Sequence, residues 1–294
     1  MVCQPLDVAK IRLQCQVEVG ARRKYRHLHH LLTTLPREEG VLALWKGHVP
    51  AQCLSISYGL VSFAVFESLA ASINKHRSGD TDQLTPLIHF ICGGVGGCAG
   101  TVASFPCDVV RTRLVAQQRH VYSGTRDAVS QLYSCGGVSA FYRGFIPACL
   151  SVAPQSGLQF GVYSLLTQVL SGVVTVQDER LGLGVISVQG SLLCGALAGV
   201  ATKTILYPLD VVKKRLQVSG WSQGRAGLGE TAEYSNMRQC VVSMVRHEGA
   251  RSLYRGFTPA LVKAVSTTSV HFMIYEWCCR LFLLSHRSDD TQNS

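Results

Sequence analysis

Apolar residues occur in this chain as long runs rather than in the alternating pattern of a half-buried soluble element. Four runs contain no Asp, Glu, Lys or Arg, at residues 47–66, 83–107, 144–177 and 181–202. A helix needs about 20 such residues to cross a hydrocarbon layer about 30 Å thick. The pattern predicts an all-α membrane protein. Buried helices of a large soluble protein are the alternative, but soluble cores rarely supply runs so long and so regular.

A charged motif, Pro-x-Asp-x-x-Lys/Arg-x-Arg, follows an apolar run or the amino terminus at three places. It begins at Pro5, Pro106 and Pro208, about 100 residues apart. A turn of aromatic, basic and Gly residues recurs with it, as Trp45-Lys46-Gly47, Tyr142-Arg143-Gly144 and Tyr254-Arg255-Gly256. Two triplets in one register indicate an internal repeat.

We therefore divide the chain into three repeats, residues 1–75, 84–172 and 185–285. Each contains a span, the charged motif, a polar loop with a short amphipathic helix, the turn and a second span. This order predicts a pseudo-threefold bundle of six transmembrane helices. Only Met1 to Gln4 precede Pro5, so we expect most of the first span to be missing, through an alternative start, a splice product or a faulty gene model.

Composition excludes several other classes of protein. Charged residues are 16% of the chain and the mean hydropathy is +0.20, which leaves no room for a large soluble domain. The net charge is +10, and the basic residues cluster beside the spans, where binding to lipid headgroups explains them better than binding to nucleic acid does. The 12 cysteines include no C-x-x-C pair, and a solvated loop explains His27, His29 and His30 better than a metal site.

A glycine-rich stretch is the one signal that favours an enzyme. Gly94 to Ala99 fit the loose dinucleotide pattern G-x-G-x-x-A, which requires a strand before it. Gly93 and Gly97 instead match Gly195 and Gly199 of the next repeat, in a spacing that lets membrane helices pack closely. We expect no enzymatic activity and no cofactor.

The triplicated charges carry the candidate chemistry. Threefold symmetry lets the acid of each motif reach the base of another, and ionised groups near a membrane are expensive unless they are paired. The predicted pairs are Asp7 with Arg111, Asp108 with Lys213 and Asp210 with Lys10. We call these six residues the charged ring. Exposed pairs are worth only about 0–1 kcal/mol each, so the ring can open as a gate. A structural clamp at the helix ends is the alternative.

Together with Glu39-Gly40 and Glu248-Gly249 before their turns, these motifs resemble the mitochondrial carrier family over the whole chain. The resemblance implies a monomeric, multi-pass protein of the mitochondrial inner membrane, with three short helices on the matrix side and alternating access to one central site. The charged ring would be the matrix gate, braced by Gln14 and Gln217, while Val115 stands where the second brace is expected. The three turns would bind cardiolipin.

The family's opposite, cytosolic-side gate is only partly present. Its motif is an aromatic residue, an acid and a base three positions later, and here Glu67 and Glu276 lack that base. We therefore expect this second gate to be weak.

Carried over from the family, the substrate positions are Leu54, Ser151 with Val152, and Lys263, and Gln155 adds a hydrogen-bonding group. Lys203 interrupts the fifth span, either to face the cavity or to extend toward the matrix surface. Two lysines near one cavity favour an anion such as a phosphate. The family resemblance, and not this chemistry, implies thiamine pyrophosphate as the first expectation among phosphorylated organic anions, with a nucleotide or coenzyme A as the alternative. A truncated, non-transporting protein is the rival interpretation.

Overall fold

The computed structural model describes residues 3–16, 24–25, 27–76, 85–117, 121–170, 175–177, 184–186, 188–220, 234, 236–267, 270 and 273–274. Its main helices are α1 (Gln4–Cys15), α2 (Leu28–Glu39), α3 (His48–His76), α4 (Thr85–Ala116), α5 (Thr125–Gly136), α6 (Phe145–Val169), α7 (Val188–Val218), α8 (Met237–Glu248) and α9 (257–267). A 3₁₀ helix precedes each of α3, α6 and α9, at Val41–Trp45, Gly137–Tyr142 and Ala250–Tyr254.

Strands β1 (Thr175–Gln177) and β2 (Gly184–Ile186) form an antiparallel hairpin between the second and third repeats. Thr175 lies opposite Ile186 in the register. The all-α prediction did not include this hairpin, because the charge-free run to residue 177 suggested one continuous helix. The β-branched residues at the end of that run favour an extended backbone over a helix.

The three short helices, α2, α5 and α8, each bury two side chains four residues apart. The pairs are Leu31 with Leu35, Ala128 with Leu132, and Cys240 with Met244. Because residues four apart share one face of a helix, each short helix packs by a single apolar stripe. This agrees with the predicted amphipathic helix of each repeat.

Large apolar side chains lie on the outside of the long helices. Leu60 and Phe63 of α3 are 68% and 65% exposed, and Phe160 and Leu165 of α6 are 72% and 61% exposed. Within the described residues, Val41–Ile73 and Phe90–Ala116 are long and apolar enough to cross a membrane. A surface of this kind is unfavourable in water and is suited to lipid.

The three turn glycines pack against the helices that carry the charged motifs. All three have φ between +74° and +83°, a conformation that favours glycine. A Cβ on the turn glycine would come close to the backbone carbonyl of a ring base: Gly47 to Arg111 (3.3 Å), Gly144 to Lys213 (2.9 Å) and Gly256 to Lys10 (3.2 Å). The contacts run from each repeat to the next and return to the first, which brings the motifs of α1, α4 and α7 together.

Candidate substrate cavity and charged ring

The charged ring contains all three pairs in the order expected from the repeat. Arg111 Nη2 lies 2.8 Å from Asp7 Oδ2, and Lys213 Nζ lies 2.8 Å from Asp108 Oδ2. The third pair is longer, with Lys10 Nζ 3.8 Å from Asp210 Oδ2. Each acid thus faces a base on a neighbouring motif helix, and the three pairs connect α1, α4 and α7 in a closed cycle.

Each ring carboxylate also forms an ion pair with a second cation, a lysine in all three cases. Lys263 Nζ is 2.5 Å from Asp7, Lys214 Nζ is 2.7 Å from Asp108, and Lys203 Nζ is 3.0 Å from Asp210. Six cationic groups therefore face three carboxylates, and the cluster has a positive surplus. Sequence reasoning missed Lys214, although the lysine stands where the other two motifs have Ile11 and Thr112.

The two expected glutamine braces differ. Gln217 Nε2 donates to Asp108 Oδ2 at 2.9 Å, and its oxygen accepts from Lys214 at 3.0 Å, so this glutamine does support the ring. Gln14 Nε2 instead donates to the hydroxyl of Tyr207 at 3.0 Å. In this structure the Gln14 amide is therefore directed to Tyr207, and its role as a brace stays a prediction.

A cavity of about 290 Å³ lies against the charged ring. The substrate positions expected from the sequence share its wall: Leu54, Ser151, Val152, Gln155 and Lys263. Lys203 lines an adjoining pocket of about 40 Å³ together with Ser151 and Gln155. The repeat therefore brings all six expected substrate residues to one region. Lys203 points to Asp210 of the ring, and 39% of its side chain is exposed.

Two larger clefts lie beside the second and third turns. One, of about 400 Å³, is lined by Tyr142, Arg143 and Gly144, and the other, of about 500 Å³, by Tyr254, Arg255 and Gly256. Arg143 donates to the carbonyl of Ser219 at 2.8 Å and Arg255 to that of Gln16 at 3.0 Å. Each of these two turns therefore binds the residue that directly follows the motif helix of another repeat, Ser219 after α7 or Gln16 after α1, with its cation at the wall of a cleft.

The cation of the first turn belongs to an ion-pair cluster around Glu39. Arg12 donates to the two carboxylate oxygens of Glu39 at 2.6 and 2.8 Å, and Lys46 of the turn donates at 2.7 Å. Trp45, on the same turn, is 39% exposed. Burial alone would raise the pKa of Glu39, but the bonds from Arg12 and Lys46 outweigh it and lower the pKa.

Arg215 and Glu248 form the matching pair in the third repeat, where Arg255 lies 2.6 Å from the same carboxylate. The second repeat has Gly136 at the position of the acid. There Arg113 is buried and donates to the carbonyl of Gln217 at 3.1 Å. The acid-to-arginine bond is thus found in the two repeats that carry the acidic-Gly motif.

Of the two second-gate remnants, Glu67 is the one that the structure describes. Glu67 is exposed on α3, and Glu276 lies outside the described residues. The expectation of a weak second gate stays a prediction.

Comparison with known proteins agrees with this geometry. The family model described as mitochondrial carrier protein matches residues 1–77, 82–173 and 185–286. The mitochondrial thiamine pyrophosphate carrier of Bos taurus is 39% identical over 98% of this chain and 90% of its own length. The mitochondrial thiamine diphosphate carrier 1 of Arabidopsis thaliana is 35% identical over 94% of this chain and 88% of its own. The mitochondrial thiamine pyrophosphate carrier 1 of Neurospora crassa is 34% identical over 96% of this chain and 87% of its own length. The chain belongs to the mitochondrial carrier family.

Proposed function

We propose that this protein exchanges thiamine pyrophosphate across the mitochondrial inner membrane by alternating access to the cavity above the charged ring. Members of its family are transporters, so the chain is a carrier and not an enzyme. Three relatives named for thiamine pyrophosphate or diphosphate match nearly the whole chain at 34–39% identity. The observation that carries the proposal is a cationic cavity whose two asymmetric lysines, Lys203 and Lys263, stand where the second repeat has Thr101 and Ser151.

The cavity suits both halves of this substrate. Ammonium groups bind phosphate oxygens through charge-assisted hydrogen bonds, and six cations facing three carboxylates leave positive charge for a pyrophosphate. Leu54, Val152 and Tyr58 supply an apolar wall that includes the aromatic ring of Tyr58. A positively charged thiazolium packs favourably against such a ring. In this arrangement the pyrophosphate lies toward the charged ring and the thiamine lies away from it.

The arrangement we propose is a monomer with a pseudo-threefold bundle of six membrane-crossing helices. The cyclic turn-to-helix contacts and the cyclic ion pairs support it. The charged ring then acts as the matrix gate, closed in this conformation. The two clefts beside Arg143 and Arg255 have the cationic wall and the size to accept a lipid headgroup, and we propose cardiolipin there.

Transport by purified protein in liposomes tests this assignment. Uptake of labelled thiamine pyrophosphate into liposomes loaded with the same compound should be saturable and should resist competition by ADP or coenzyme A. Preferential competition by either compound would favour a nucleotide or coenzyme A carrier of the same family. Absence of exchange with all three would favour a non-transporting protein.

A lysine substitution tests the site itself. Lys263→Ala should weaken apparent affinity by roughly 10- to 100-fold, because a hydrogen bond to a charged group is worth about 1.5–3 kcal/mol. Lys24→Ala is the matched control, since Lys24 pairs with Glu38 outside the cavity at 2.8 Å. Equal affinity of the two folded variants would contradict the proposed role of Lys263.

A further inference from the structure

We propose that Lys263 is shared between the substrate and the gate, so that the anionic group of the substrate competes with Asp7 for this lysine. This rests on the proposed function and adds how a bound anion acts on the charged ring. Asp7 then weakens substrate affinity in the closed state. Binding of the anion removes the ion pair between Lys263 and Asp7, one of the contacts between α9 and α1.

The two cations on Asp7 use different oxygens. Lys263 Nζ lies 2.5 Å from Oδ1, whereas Arg111 Nη2 lies 2.8 Å from Oδ2. When Lys263 leaves, Asp7 keeps its ring partner and does not become an isolated charge. The exchange of one oxyanion for another is therefore inexpensive, since neither the ammonium nor the carboxylate is left unpaired.

Lys263 has the exposure that such an exchange needs. Its side chain is 34% exposed and lines the cavity, and among the contacts of the described residues it forms an ion pair with Asp7 only. Lys214 provides the contrast. That lysine is 13% exposed and donates to Asp108, Thr112 and Gln217 at 2.7–3.0 Å, which ties it into the α4–α7 contact.

Lys203 differs from Lys263 in the consequence of its release. Lys203 and Lys10 both approach Asp210 Oδ2, at 3.0 and 3.8 Å. Removal of Lys203 by a phosphate lets Lys10 move closer to Asp210, which strengthens that ring pair. Release of Lys263, in contrast, removes an ion pair between α9 and α1, while Arg111 stays where it is on the other oxygen of Asp7. Lys263 is therefore the lysine that links substrate binding to loosening of the α9–α1 contact.

A double-mutant cycle on the purified full chain tests the competition. Calorimetric titration with thiamine pyrophosphate should show Asp7→Asn binding about 10-fold more tightly than the wild type. Lys263→Gln should bind about 10- to 100-fold more weakly. In the Lys263→Gln background, Asp7→Asn should change affinity by less than about 2-fold, because the lysine that the two anions compete for is gone.

Asp108→Asn is the matched control, because it removes the same charge from the ring at an acid that does not contact Lys263 in this structure. Its effect on affinity should be less than about 3-fold. Equal tightening by Asp7→Asn with and without Lys263 would show a general field effect and would overturn the proposal. The proposal would also fail if Asp7→Asn left the affinity of the otherwise wild-type protein unchanged.

Lys263→Gln alone supplies a second readout that does not depend on folding of Asp7→Asn. Without ligand this variant should melt about 2–4 °C below the wild type, because it has lost the tie to Asp7. An unchanged melting temperature would overturn the proposal. If the wild type binds inorganic pyrophosphate but not thiamine pyrophosphate, the same cycle is measured with pyrophosphate. That outcome would reject the substrate assignment and still decide the competition.

Discussion

Replacement of Glu39 by Gln removes one charge from a buried cluster while keeping the shape of the side chain. The Glu39 side chain is 8% exposed and faces Arg12, which is fully buried, and Lys46, which is 20% exposed. Loss of one partner from a buried ion pair typically costs about 3–5 kcal/mol, because the remaining charge stays buried. The amide introduced by the substitution keeps one acceptor oxygen, so we expect the lower end, about 3 kcal/mol.

Glu38→Gln is the matched control on the same helix. Glu38 pairs with Lys24 at 2.8 Å, but its side chain is 41% exposed. A pair of this kind contributes about 0–1 kcal/mol. Because about 1 kcal/mol shifts the melting temperature by about 2–4 °C in a chain of 150–250 residues, Glu39→Gln should melt about 6–12 °C below the wild type. Glu38→Gln should stay within about 4 °C.

The melting temperatures of the two variants can be measured in detergent by following the exposure of buried thiols. Cys15 and Cys240 are buried, and burial raises the pKa of the Cys240 thiol to about 12, so a fluorogenic maleimide labels it mainly after unfolding. Equal melting temperatures for Glu39→Gln and Glu38→Gln would refute the reasoning, since the two variants differ mainly in the burial of the lost charge.

Acid provides an independent check on Glu39. Its pKa is lowered in the folded protein from the ordinary value of 4.5, so the ionised carboxylate stabilises the fold above that pH. This stabilisation is lost as the pH falls below 4.5 toward the folded pKa. The melting difference between the wild type and Glu39→Gln should therefore be largest near neutral pH and should narrow in that acidic range. A difference that widened on acidification would contradict the assigned sign.

Three further substitutions test the ring and its supports. Asp108→Lys should abolish exchange in liposomes, because it places like charges together, and the additional substitution Lys213→Asp should restore part of the exchange. If an acid substituted for a different ring base restores exchange instead, the assigned pairing of Asp108 with Lys213 is wrong. Gly144→Ala should lower the melting temperature by about 5 °C, because it strains a positive φ and brings a Cβ to 2.9 Å from a carbonyl, whereas Gly161→Ala has open space and should be neutral or stabilising. Lys203→Gln should weaken apparent substrate affinity by about 10-fold in uptake assays; unchanged affinity would indicate that Lys203 serves only Asp210.

The sequence by itself determined the repeat and the order of the ring pairs. Three motifs in one register place acid and base three residues apart on equivalent helices, so a cyclic arrangement leaves few ways to pair them. The expected substrate positions came from the family resemblance applied in the same register, which implied Leu54, Ser151 and Lys263 at equivalent distances after their turns. The hairpin that begins with strand Thr175–Gln177 was not predicted, because an apolar run without charged residues does not distinguish a helix from an extended strand.

Only the tertiary structure decided which neighbours each charged group meets. Glu38 and Glu39 are adjacent in sequence, yet only Glu39 faces the buried guanidinium of Arg12. Likewise the amide of Gln14 meets Tyr207, which is distant in sequence, rather than a ring carboxylate. Such partners come from separate helices, and the distance between their side chains depends on how those helices pack. A periodic motif specifies the face of a helix, whereas burial and partner choice depend on the neighbouring helices that fill the space around it.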